Sequence, residues 1–191
     1  MNLDEIQREH RAVAECVFGE LLDPLERLAR LVVDSLKAGG KIMACGNGGS
    51  ASDAQHLAGE LVNRFLLNRR PYAALALGTD VAVTTSIGND FSFEEIFKKQ
   101  VEALGRAGDV LIGFSTSGNS ENVLRAFRVA RDAGIRTVLF SGGTGGRLAE
   151  LADFALVVSA ASHTPRVQEG HELMMHILCE RVEELMEGAE A

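Results

Sequence analysis

Five short apolar runs, each almost free of polar interruption, set the terms of the fold. They are KIMAC (41–45), AALAL (73–77), DVLIGF (109–114), TVLFS (137–141) and FALVVS (154–159). A strand with one wet face alternates polar and apolar residues, whereas a strand apolar throughout must be covered on both sides. Stretches of helical period lie between these runs and can supply the cover. They span 50–67, 94–104, 121–133 and a short piece at 147–151. The pattern predicts an α/β layer sandwich around a mostly parallel sheet. Residues 78–93 show no clear period and read as less regular.

Two further helical regions flank this unit. The first spans 3–37, with a break and restart at Asp23-Pro24 and a stop at Gly39-Gly40; the second spans 166–187. A minimal doubly wound sheet has no obvious place for them, so they are expected to pack outside it or against another chain. With 191 residues and no fixed-period repeat, a single domain 1–191 is expected: N-terminal helices 1–37, an α/β core 38–160 and a C-terminal helix 161–191.

Charge and cysteine use narrow the function. Nineteen basic against 27 acidic residues give a net charge of −8, and no basic run of five exists, so nucleic acid is not an expected partner. The charged N-terminus does not read as a signal peptide, and no apolar run reaches membrane-spanning length, so no membrane association is expected. Cys16, Cys45 and Cys179 are isolated and odd in number, which predicts reduced core thiols in a cytoplasmic protein.

Chemistry concentrates in the loops after the strands, where open α/β sheets bind ligands. Ser115-Thr116-Ser117-Gly118-Asn119-Ser120 brings four hydroxyls to a bend that opens a helix. A helix N-terminus offers unpaired N–H groups and partial positive charge, which suits a phosphate. With no Lys or Arg in the loop, hydroxyls and amides must do the binding, which fits a phosphate monoester better than a triphosphate. N-capping by Ser120 would account for one hydroxyl, not four. The loop Gly46-Asn47-Gly48-Gly49-Ser50-Ala51 fits G-x-G-x-x-A, yet the acidic residue wanted about 20 positions on is missing; Asp80 comes too late. No nucleotide cofactor is therefore expected. A third loop, Gly88-Asn89-Asp90-Phe91, reads equally as a turn or as a pair of ligand contacts.

His56 and Glu60 are four apart and share a helix face, either as a plain surface pair or as a site. The last helix carries Gln168, His171, Glu172 and His176 where a core-packing helix would not need polar residues. His176, set among Met175, Ile177 and Leu178, reads as a buried core histidine or as a functional one. Arg64, Arg69 and Arg70 are expected to be solvated surface charges.

Taken in order, GNGGSASDAQHLAGEL, GNDF, GDVLIGFSTSGNS and RVQEGHELMMHIL resemble the phosphoheptose isomerases of the sugar-isomerase (SIS) family, over nearly the whole chain. The resemblance implies a Rossmann-like five-stranded parallel sheet in a three-layer sandwich, and a homotetramer with active sites at subunit contacts. It implies conversion of the small-molecule substrate sedoheptulose 7-phosphate to D-glycero-D-manno-heptose 7-phosphate, for bacterial surface glycans. Ser115, Thr116, Ser117 and Ser120 match its phosphate cradle, and Asn47, Gly48, Gly49, Asn89 and Asp90 its sugar contacts, with Glu60 and Gln168 also at the substrate. His56, Glu60, Gln168 and His176 match a Zn²⁺ set, and Glu60 and His176 an acid–base pair. A non-catalytic relative binds the replication initiator DnaA and lacks that glutamate and histidine; both stand here.

Isomerisation through an enediol needs a base at the C1–C2 edge and an acid at the oxygens, roles expected of Glu60 and His176. Gln168 and His176 are eight residues apart, about 12 Å along an ideal helix, so spacing alone favours Glu172 as the partner of His176. Only the resemblance favours Gln168. Gly59 and Gly170, poor helix formers, raise the question whether the helices at the site are regular.

Overall fold

The structure is a computed structural model describing residues 2–161 and 163–188. Five strands form one sheet: β1 (Ile42–Gly46), β2 (Ala74–Ala76), β3 (Val110–Ser115), β4 (Arg136–Gly142) and β5 (Phe154–Val158). All pairs are parallel, in the order β2-β1-β3-β4-β5. Ile42 pairs with Val110, Val110 with Arg136 and Val138 with Phe154, so the ends of β1, β3 and β4 lie level. The predicted α/β sandwich with a five-stranded parallel sheet is what the chain adopts.

The three inner strands β1, β3 and β4 bury both faces, which is why their runs are apolar throughout, while the edge strands β2 and β5 are only partly buried. Ile42, Ala44, Val110, Ile112, Phe114, Val138 and Phe140 join one core cluster, and Met43, Cys45, Leu111 and Leu139 join the other. Helices α1 (Leu3–Cys16), α2 (Leu22–Lys37), α3 (Gly49–Val62) and α8 (Thr164–Glu187) cover the first face. Helices α5 (Ile96–Leu104), α6 (Glu121–Asp132) and the short α7 (Gly146–Ala149) cover the second. The terminal helices thus belong to the sandwich: α8 packs on α1, α2 and α3.

Several boundaries differ from expectation for identifiable reasons. The break before Asp23-Pro24 is a π-helical turn, Val17–Leu21, after which Pro24 sits in the first turn of α2. Pro24 has no N–H for the carbonyl four residues back, and the wider turn stands at that gap. Helix α3 stops at Val62, not at residue 67, because Asn63 turns the chain (φ −85°, ψ −90°). Residues 78–93 contain a regular helix, α4 (Val81–Asp90), followed by a 3₁₀ turn at Phe93–Glu95. Gly59 and Gly170 interrupt neither α3 nor α8. The three cysteines are free and buried, and burial pushes the thiols of Cys45 and Cys179 up to about 12.

The order of strands fixes where a ligand can sit. From β1 the chain moves to one side, to β2, and then to the other, to β3. The loops leaving β1 and β3 therefore part company and open a crevice at their carboxyl ends. Those are the loops GNGGS and STSGNS.

Candidate active site

The two loops are tied to each other. Asn47 and Asn122, from the first turn of α6, exchange amide hydrogen bonds of 2.9 and 2.8 Å. Gly118 (φ +67°) lets the second loop press on residues 143–146, since a Cβ there would lie 1.9 Å from the Gly145 carbonyl oxygen. Asn119 stitches the same contact: it accepts from the Arg147 N–H at 3.1 Å and donates to the Ser117 carbonyl at 2.8 Å.

Two hydroxyls of this loop meet each other and two line a cavity. Ser120 is the N-cap of α6, yet its side chain makes no capping bond. Its Oγ lies 3.0 Å from Ser115 Oγ instead. Ser117 is exposed and Thr116 half-buried. Thr116 and Ser117 line a cavity of about 410 Å³ with Gly142, Gly143, Thr144 and Thr164. Nearby cations are already committed: Arg125 and Arg147 both pair with Glu121. An anion at this loop would be held by its hydroxyls and the start of α6.

Helices α3 and α8 lie side by side and run the same way. Successive contacts advance along both chains. Gln168 lies over Gly49 and donates from Nε2 to Asp53 Oδ1 at 2.8 Å. One level on, His56 Nδ1 meets Glu172 Oε2 at 2.9 Å, while His56 Nε2 faces Glu60 Oε1 at 3.1 Å and His176 Nε2 at 3.4 Å. The two imidazoles meet edge to face, centroids 5.0 Å apart. Below them Phe65 packs on His176.

His56, Glu60 and His176 each bring one donor atom within 4.8 Å of the others'. The fit to a cation follows from counting protons. A neutral imidazole has one N–H, and His56 has a carboxylate at each nitrogen. If Nδ1–H serves Glu172, then Nε2 turns a lone pair toward the Glu60 oxygen and toward His176. A cation among these three atoms would convert facing lone pairs into ligand bonds. Two imidazoles and a carboxylate are a donor set suited to Zn²⁺, and a carboxylate behind a ligating histidine is its usual support.

Not every residue singled out in the sequence joins this cluster. Gln168 lies nearer the GNGGS loop and is held by Asp53. Asn89 and Asp90 are exposed at the end of α4, where Asn89 Nδ2 donates to Asp90 Oδ1 at 2.8 Å. Among the described residues no hydrogen bond or ion pair links their side chains to the rest of the set. Arg69 is no surface charge: its side chain, 1 % exposed, pairs with Glu183 at 2.9 Å. It also donates to the main-chain carbonyls of Glu60 and Leu61, both at 2.9 Å, and so clasps the end of α3. Asp53, Asn122, Thr144 and Thr164 were not anticipated. Asp53 had a usable signal, standing three before His56 and seven before Glu60 on the same helix face.

The chain is similar to known proteins over most of its length. A family model described as the SIS domain matches residues 7–142. A phosphoheptose isomerase from Paramagnetospirillum magneticum is 52 % identical over 181 residues, covering 95 % of this chain and 94 % of its own. The structure of phosphoheptose isomerase GmhA from Neisseria gonorrhoeae superposes with a TM-score of 0.88 at 41 % identity, over 95 % of this chain and 96 % of its own. A phosphoheptose isomerase from Francisella tularensis superposes with a TM-score of 0.89 at 36 % identity, over 96 % of this chain and 100 % of its own. Similarity of this degree runs through both loops and both helices of the site, and the chain therefore belongs to the SIS-domain family and, within it, to the phosphoheptose isomerases.

Proposed function

We propose that the chain converts sedoheptulose 7-phosphate to D-glycero-D-manno-heptose 7-phosphate, supplying heptose for bacterial surface glycans, with the whole of 1–191 acting as one SIS domain. The observation that carries the reading is the meeting of Glu60, His56 and His176 between α3 and α8; the hydroxyl-lined loop at the start of α6, where Ser120 makes no capping bond, supports it. Relatives named as phosphoheptose isomerases over nearly the whole chain favour it over the alternative, a non-catalytic SIS-domain sugar-phosphate sensor or a DnaA-binding regulator of replication initiation.

The phosphate is read as bound by Ser115, Thr116, Ser117 and Ser120 at the start of α6. Asn47, Gly48, Gly49, Asn89, Asp90 and Gln168 then contact the sugar. Holding the phosphate end restrains the reactive end, so remote binding energy orients the C1–C2 edge. Glu60 removes a proton from C1 of the ketose, and the C1–H electrons form the C1–C2 double bond. Through Nδ1, the ring nitrogen not turned toward His56, His176 gives a proton to O2 and takes one from O1 as the enediol passes to the aldehyde. Glu60 returns its proton to C2, so the atoms balance. Glu172 holds His56 by Nδ1 and keeps Nε2 turned inward. His56, Glu60 and His176, with Gln168 as the further candidate, would hold Zn²⁺, which when bound supplies Lewis acidity to substrate oxygens.

The assembly is read as a homotetramer whose subunit contacts complete the sites, with the cytoplasm as its compartment. In support, α4 buries none of its residues, and Val81, Val83, Phe91 and Phe93 on and after it are exposed. Apolar surface of this kind marks a contact.

Incubation with sedoheptulose 7-phosphate, followed by NMR for the aldose and by elemental analysis for zinc, tests the reading. Glu60→Gln is expected to lower kcat by about 10²–10⁴-fold while still binding substrate. A fully active Glu60→Gln enzyme would remove Glu60 as the base.

A further inference from the structure

Two buried polar side chains play no part in the reaction as described. Asp53 on α3 and His171 on α8 are both closed to solvent, at 0 % exposure. Among the described residues, Asp53 Oδ2 and both ring nitrogens of His171 have no hydrogen-bond partner. Asp53 Oδ2 and His171 Nδ1 stand 3.8 Å apart, beyond hydrogen-bond length. Beyond them lie the rings of Phe114 and Phe140, at 5.9 and 6.1 Å from the imidazole. A carboxylate in such surroundings is unfavourable unless its bonds accomplish something an apolar residue cannot. Among the described residues, the one hydrogen bond to the Asp53 side chain comes from Gln168, whose Nε2 donates to Oδ1 at 2.8 Å.

That bond selects an orientation. A carboxamide has a donor end and an acceptor end of nearly equal shape. A carboxylate accepts, so it takes the nitrogen end. The oxygen end is what remains for a ligand; the whole amide lies over Gly49, where an added Cβ would approach Oε1 to 2.4 Å and Nε2 to 2.7 Å. We propose that Asp53, backed by His171, is a positioning residue that pins the Gln168 amide by its nitrogen and presents its carbonyl oxygen at the GNGGS loop. This rests on the reading of Gln168 as a site contact.

Four variants test it: Gln168→Ala, Asp53→Asn, Gln168→Glu and the double Asp53→Asn/Gln168→Glu. Each is measured for kcat and KM with sedoheptulose 7-phosphate, for zinc retained against a chelator, and for thermal melting. In Asp53→Asn the introduced amide has an N–H₂ to give, so the Gln168 amide is free to turn over. The expected result is a KM or zinc affinity worse by about tenfold or more, as for other residues that hold a site contact. Gln168→Glu sets two carboxylates against each other and is expected to lose as much. In the double variant the introduced amide donates to the introduced carboxylate, an oxygen again faces the loop, and affinity is expected to recover most of that loss. A purely structural role for Asp53 does not predict the rescue.

An unchanged KM and zinc affinity in Gln168→Ala would take Gln168 out of the site and defeat the underlying reading. Weakening in Gln168→Ala beside a normal Asp53→Asn would overturn the positioning role alone. So would a double variant no better than Gln168→Glu. Should Asp53→Asn not fold, Gln168→Glu decides: undiminished affinity overturns the proposal, and a tenfold loss upholds it.

Discussion

Ser120 stands where a serine ordinarily accepts a hydrogen bond from the first turn of its helix. Here the hydroxyl turns to Ser115 and caps nothing, while Asn122 Oδ1 accepts from the first-turn N–H of Val123 at 3.0 Å. Removing it should therefore leave stability nearly untouched and weaken substrate capture. Ser120→Ala is expected to shift the melting temperature little while raising KM about tenfold or more, since a hydrogen bond to a charged group contributes about 1.5–3 kcal/mol. Titration calorimetry with the substrate on a Glu60→Gln background reads the binding loss apart from turnover. Glu172 is the complementary case, acting through another side chain. Glu172→Ala is expected to reduce zinc affinity about 10–100-fold, measured by chelator competition, with Glu172→Gln recovering part because its carbonyl oxygen still accepts from Nδ1. At this scale the sequence was informative wherever partners are near neighbours, as for His56 with Glu60. It was silent on partners brought from afar: nothing local to Asp53 announces Gln168, 115 positions on.

Among the elements, α3 and α8 carry the site, and their close approach to the layers beneath depends on small residues. A Cβ on Gly170 would come within 2.8 Å of Val158 and 3.1 Å of Val13. The glycine that looked like a weakness in α8 is what lets the helix sit down on β5 and α1. Gly170→Ala is expected to cost about 1–3 kcal/mol through overpacking, seen as a lower melting temperature with the denaturant m-value unchanged. Strands, loops and most of the helices were legible because burial stamps a period on the residues. α4 was not, because none of its residues is buried and VAVTTSIGND carries no stripe for a core to read. The end of α3 was misplaced for the opposite reason. Leu57, Leu61 and Phe65 keep helical spacing although the chain has already turned. The N–H groups of Phe65, Leu66 and Leu67 go to the Glu183 carboxylate at 3.2, 2.8 and 2.8 Å, a destination no local pattern specifies.

For the molecule as a whole, that carboxylate is a fastening between distant parts of the chain. Burial raises the pKa of Glu183, but the N–H groups of Leu67, Leu66 and Phe65 and the guanidinium of Arg69 outweigh it, and the group lies below its ordinary value of 4.5. A depressed folded pKa stabilises above the unfolded value and is lost as pH falls through the folded one. Melting temperature is therefore expected to hold from neutrality to about pH 4.5 and to decline below it. Glu183→Gln, which leaves Arg69 buried without its counter-ion, should be less stable at pH 7 by about 3–5 kcal/mol. It should also lose part of the acid decline, so the two curves converge toward pH 3. A mutant curve parallel to the original would show that the acid limb belongs to other groups. The pairing of α3 with α8 has a further bearing on how the protein comes into being. A ribosome releases the amino end first, so the whole sheet is outside before the wall that holds His176 and Glu172 has been made. On the proposed reading, a nascent subunit would grip sugar phosphate without acting on it until α8 docks, and reactivity would arrive only with that helix.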